Sequence, residues 1–118
     1  MANNLSQCEV ALEILVKSVE LEKTYQSDEG KGGYVQCLVE GIVTKTFKGS
    51  FSTGDTLSYR FTSEYDGAPR CPVDMGRKYI VFLKHDPKSR KLWLFAEADQ
   101  FKSSSELVRM LERLSESK

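Results

Sequence analysis

The chain has 118 residues, 40% apolar and 29% charged, with 17 basic and 17 acidic side chains. That is enough for one domain with a real core, in the range of globular rather than disordered chains, and zero net charge argues against a dedicated nucleic-acid binder. No apolar run reaches the ~18 residues of a transmembrane helix.

Residues 1–7 lack the basic start and apolar stretch of a signal peptide and read as a flexible lead-in. Residues 9–22 then predict a long strand. Val10, Leu12, Ile14 and Val16 alternate with Ala11, Glu13, Leu15 and Lys17, a period of two. Past Lys17 the apolar parity moves to Val19 and Leu21, the mark of a β-bulge that lets a sheet curl. Residues 29–33 are a Gly-rich turn. A second strand covers about residues 34–47, with Val35, Cys37, Val39 and Val43 on one parity. Gly41 on that same face signals a bulge or close backbone approach.

Leu57, Tyr59 and Phe61 alternate with Ser58, Arg60 and Thr62 and predict a third strand. Gly67, Pro69 and Pro72 mark residues 64–75 as a loop. Residues 78–84 are nearly all apolar and predict a strand covered on both faces. A polar turn over residues 85–90 leads to a fifth strand over residues 91–98. Ser103 with Glu106 has capping-box spacing, and Leu107, Val108, Met110, Leu111 and Leu114 follow at helical spacing. A helix this short is unstable alone in water, so its stripe must dock on the sheet. Five bulged strands and one helix predict a mainly β fold: a five-stranded Greek-key OB-fold barrel with a C-terminal α-helix packed on it.

The chemistry-bearing residues are few. There is no nucleophile elbow and no phosphate loop. Cys8, Cys37 and Cys71 have no C-x-x-C spacing, and with His85 as the single histidine no zinc-ligand cluster is expected. A Cys/His pair is formally available from Cys37 or Cys71 with His85, but no third orienting group accompanies it. The cysteines are compatible with three thiols or with one disulfide and a buried thiol. Trp93 and Phe95 oppose Leu92 and Leu94 in parity. One pair therefore lines the barrel, and the helix stripe is the simplest cover for the other.

Charge is uneven. From residue 70 to residue 91 there are seven basic residues against two acidic ones, while residues 1–30 carry six acidic residues against two basic. Such asymmetry can steer an acidic partner. Arg70, His85, Lys88 and Arg90 are the candidate contact residues. A nucleic-acid or glycan groove would instead require exposed aromatics near Lys45, Arg60 and Lys78.

The run Thr44-Lys-Thr-Phe-Lys-Gly49, then Gly54-Asp55, then Leu57-Ser-Tyr-Arg-Phe61 resembles the netrin-like module, and in particular the N-terminal domain of the tissue inhibitors of metalloproteinases. Cys71 falls where that family has a disulfide cysteine. Gly76-Arg-Lys-Tyr-Ile-Val-Phe82 resembles its following strand, and Cys8 with residues 9–17 resembles a cysteine leading into its first strand. The resemblance spans about residues 8–115 and implies one netrin-like domain over residues 8–118, with an OB-type barrel and an extracellular or periplasmic setting. It further implies a non-enzymatic protein-binding role, toward a protein partner of which a protease is one kind, with no cofactor and no metal of its own. Family inhibitors chelate the protease zinc through an N-terminal cysteine. Here seven residues precede Cys8 and no Cys-x-Cys pair exists, so that wedge is missing. The resemblance favours a Cys8–Cys71 disulfide, with Cys37–Cys71 as the alternative. The former is preferred because Cys37 is centred in an inward-facing strand, where a buried thiol packs well.

Overall fold

The protein is described here by a computed structural model covering residues 2–26, 32–96 and 99–116. Its elements are α1 (Ala2–Gln7), β1 (Val10–Gln26), β2 (Gly33–Lys48), β3 (Thr56–Tyr65), β4 (Lys78–His85), β5 (Leu92–Leu94), β6 (Gln100–Lys102) and α2 (Ser105–Glu116). The strands run in the order β1-β2-β3-β5-β4-β6, and β1 also pairs with β4. That second pairing closes five strands into the expected Greek-key OB-fold barrel. Strand β6 is an addition: it lies on the β4 edge beyond β5, with Ile80 opposite Phe101. The fifth strand is thus shorter than the sequence suggests. Residues 97–98 of that expectation, and residues 29–31 of the Gly-rich turn, lie outside the described residues.

Closure depends on the long first strand. Its first part pairs with β4, from Val10 opposite Leu83 to Leu15 opposite Lys78, while Ala11 to Gln26 run beside β2. The β1–β2 register shifts at Ala11/Leu12, Glu13/Ile14, Val16/Ser18 and Leu21/Lys23. Each shift bends the strand, and the third is the parity switch seen in the sequence. Gly41 opposes Val16 at that bend. A Cβ there would sit 3.1 Å from Ile14 Cδ1 and from the Leu15 carbonyl oxygen, so the glycine permits the close approach.

Two apolar layers result. Leu12, Ile14, Val39, Val43, Tyr59 and Val81 are among the side chains filling the barrel. Ile80 and Phe82, from the opposite face of β4, join Leu5, Ala11, Phe47 and Leu111 in a second cluster outside it. Strand β4 is therefore covered on both faces, as its continuous apolar run requires. Leu111 is fully buried in that outer layer, with Leu107, Val108 and Leu114 packed beside it. Met110, counted in the helical stripe, is exposed, because it projects from the flank of the helix rather than from the line Leu107–Leu111–Leu114.

Three expectations are corrected. The disulfide joins Cys37 to Cys71, with Cα atoms 6.0 Å apart, and Cys8 is a free, buried thiol. Cys37 does line the barrel. The loop from residue 66 to residue 77, however, folds back under it, seating Val73 in the core and Cys71 against it. Backbone bonds from Gly76 to the Val16 carbonyl and from Val16 to the Arg77 carbonyl fix the loop there. Cys8 is remote from that end. Its thiol donates to the Leu5 carbonyl at 3.4 Å, and burial pushes its pKa up.

Second, residues 2–7 form a short helix instead of a loose lead-in. Buried Leu5 holds it, Lys48 Nζ donates to the Leu5 and Ser6 carbonyls, and Asn4 Nδ2 donates to Asp99 at 2.7 Å. Third, Ser104 caps α2, accepting from the Leu107 backbone N–H at 3.2 Å. Ser103 turns inward instead and donates to the buried carboxylate of Glu13, which also accepts from Thr44 Oγ1 at 2.8 Å.

Candidate functional site

The β4–β5 end of the barrel gathers three of the four candidate contact residues. Its turn is short and strongly fixed. Asp86 N–H donates to the Lys91 carbonyl, and Arg90 N–H donates to the Asp86 carbonyl. The Asp86 carboxylate accepts from Ser89 N at 2.8 Å and Ser89 Oγ at 2.9 Å, and these bonds lower its pKa. Arg90 closes the turn at φ +64°, a left-handed conformation unusual for a residue with a Cβ. Lys88 and Arg90 are thereby presented to solvent on a rigid turn.

His85 stands at the turn's root. Its Nδ1 lies 2.7 Å from Glu9 Oε2, and its backbone N–H donates to Glu9 Oε1 at 3.2 Å. Glu9 is held below the ordinary carboxylate range, first by the His85 side-chain bond and then by the His85 N–H. Beside this pair is an open depression lined by Glu9, Lys84, His85, Pro87 and Trp93. Trp93 is half-buried there, while Leu92 and Leu94 point into the barrel.

Of the two outward aromatics expected to lie under α2, only Phe95 packs on the outer cluster, with Lys84 Nζ 5.7 Å above its ring. Trp93 is not part of that cluster. It is paired instead with Lys84 of β4 and Arg60 of β3, a neighbourhood set by strand order, which no single-strand periodicity encodes.

Arg70 does not join this group. It precedes Cys71, whose sulfur lies 3.9 Å from the Glu20 carbonyl oxygen. Glu9 immediately precedes β1 and Glu20 lies eleven residues further along the chain, on the order of 30 Å of extended backbone. The basic groove considered from the sequence is not assembled either. Lys45 pairs with Glu112 at 2.9 Å and Arg60 with Glu22 at 2.9 Å, while Lys78 of β4 lies beside the start of α2 with Ser103 and Arg109.

Of the thiols, Cys37 and Cys71 are bonded to each other and Cys8 is buried with a raised pKa. That is the opposite of the activated thiolate a nucleophile needs. Among the described residues, no cluster of His, Cys, Asp or Glu is arranged to hold a metal ion, and no helix is long and apolar enough to cross a membrane. A scan against protein-family models and a search of curated proteins both find no match.

Proposed function

We propose that this chain is a non-enzymatic protein-binding module of netrin-like character that grips an acidic segment of its partner at the β4–β5 end of the barrel. The observation that carries the reading is the half-buried Trp93 beside a rigid turn whose cations outnumber its free carboxylates. Lys84 lines the depression and Lys88, Arg90 and Lys91 are exposed on the adjoining turn, while Glu9 and Asp86 are already engaged by His85 and Ser89. A partly exposed aromatic anchor with a basic rim suits an acidic chain carrying one apolar side chain, and the rim accelerates its encounter. The Cys37–Cys71 disulfide is compatible with an oxidising compartment, and with the netrin-like resemblance it supports a secreted or periplasmic setting.

Trp93 is the single tryptophan and reports directly. Titrating the protein with a synthetic peptide of alternating Glu and Leu should change its fluorescence saturably. Added salt, or Lys88→Glu with Arg90→Glu, should abolish the change. Equal binding by a Lys-Leu peptide, or no response to either, would refute the reading.

A further inference from the structure

Resting on the acidic-segment reading of the β4–β5 end, we propose that His85 is its specificity-determining residue: the ring and backbone N–H groups of His85 form a carboxylate subsite, which the chain's own Glu9 fills until a Glu or Asp side chain of the partner displaces it.

The geometry is that of a two-point clamp. Glu9 Oε2 lies 2.7 Å from His85 Nδ1, and Glu9 Oε1 accepts from the His85 backbone N–H at 3.2 Å. Both oxygens of one carboxylate are thus met by one residue. An ionised carboxylate only accepts, so the proton of the ring bond sits on Nδ1. Strand pairing with Leu92 and the backbone bond from Asp86 to Lys91 hold the His85 N–H in place. An amide side chain offers one acceptor oxygen and would leave one of these donors unmatched, while an ammonium offers none.

Glu9 is a displaceable occupant. Its backbone is pinned, since its N–H donates to the Leu83 carbonyl at 3.1 Å and Val10 follows opposite Leu83. Release therefore takes only a rotation of the side chain and leaves the fold unchanged. The pair is open to water, with the Glu9 and His85 side chains 52% and 43% exposed, and ion pairs so exposed are weak. Glu9 gains from being tethered, but a partner already held by Trp93 and Lys84 presents its own carboxylate with the same advantage.

The surroundings favour a carboxylate from either source. Lys84 lines the same depression, and after His85 itself the nearby Arg90 also helps to hold Glu9 below the ordinary carboxylate range. Asp86, the other acidic side chain lining the depression, is turned to Ser89 N and Oγ and does not compete for His85.

The test is Glu-Leu peptide affinity, read by Trp93 fluorescence, in wild type, Glu9→Ala, His85→Ala and the double variant. Glu9→Ala should bind about two- to fivefold more tightly, the factor by which an exposed ion pair competes. His85→Ala should bind more weakly than Glu9→Ala, and the double variant should match His85→Ala. In Glu9→Ala the His85 amide proton has lost its acceptor and its NMR signal should move upfield; saturating peptide should return it downfield. Wild-type binding with no gain in Glu9→Ala would overturn the subsite and leave the acidic-segment reading standing. So would an equal gain with and without His85, which a simple change in rim charge produces. No binding by any of the four chains would overturn both.

Discussion

Replacing Cys71 with Ala removes the one covalent tie between the residue 66–77 loop and the barrel. The bond spans 34 residues, and releasing a loop of that size frees the unfolded chain by roughly 3.8 kcal/mol at 25 °C on chain-entropy grounds. Total stability for a chain of this length is on the order of 6–18 kcal/mol, so the variant should remain folded in water. Its midpoint temperature should fall by about 15 °C. Urea unfolding under non-reducing conditions measures the loss. The slope against denaturant should also rise, because the unlinked denatured chain exposes more surface. Cys8→Ala is the control: it keeps the cross-link and empties one small buried site, costing roughly 1 kcal/mol. A large loss from Cys8→Ala paired with a loss under about 1 kcal/mol from Cys71→Ala would refute the pairing and the loop placement built on it.

Leu111→Ala should destabilise by roughly 2–5 kcal/mol, since Leu111 is fully buried between α2 and β4; urea denaturation reads this directly, and a cost below about 1 kcal/mol would mean that the helix is not docked. Ser104→Ala should cost about 1 kcal/mol as a lost helix cap, and the same assay checks it. Gly41→Ala should cost roughly 1–3 kcal/mol by crowding Ile14 and Leu15; a neutral result would contradict the tight bend. Glu9, Glu22 and Asp86 all have lowered pKa values, first through His85, Arg60 and Ser89 respectively. Their stabilisation is complete above the ordinary carboxylate range and fades as pH falls through the lowered pKa values. Urea midpoints measured downward from pH 5 should therefore decline, and Glu9→Gln, Glu22→Gln or Asp86→Asn should each flatten the decline. An unchanged slope in all three would refute the assignment.

Local pattern carried most of the fold. Period-two alternation marks β1 to β3, the continuous apolar run marks β4 as doubly covered, and Gly41 announces its bend. What failed to show was whatever depends on contacts distant in sequence. Cys37 is an inward strand residue in both the sequence and the structure, yet its partner arrives on a loop whose return under the barrel is fixed by backbone bonds to Val16. Ser103 has the capping-box spacing to Glu106, yet buried Glu13, ninety residues upstream, draws it inward and leaves Ser104 to cap α2. The contact residues divide for the same reason. His85, Lys88 and Arg90 share one turn and so lie together, whereas Arg70 sits beside Cys71 at the loop docked against β1. Trp93 stood out as an aromatic needing cover, but its placement beside Arg60 follows from β5 entering next to β3.

The most direct test of the binding account is an amide and indole 15N NMR titration with the Glu-Leu peptide. Shift changes concentrated on residues 84–91 and on the Trp93 indole, with α2 and residues 66–77 unmoved, are the expected result. Changes centred on α2 or that loop, or none at saturating peptide, would contradict it.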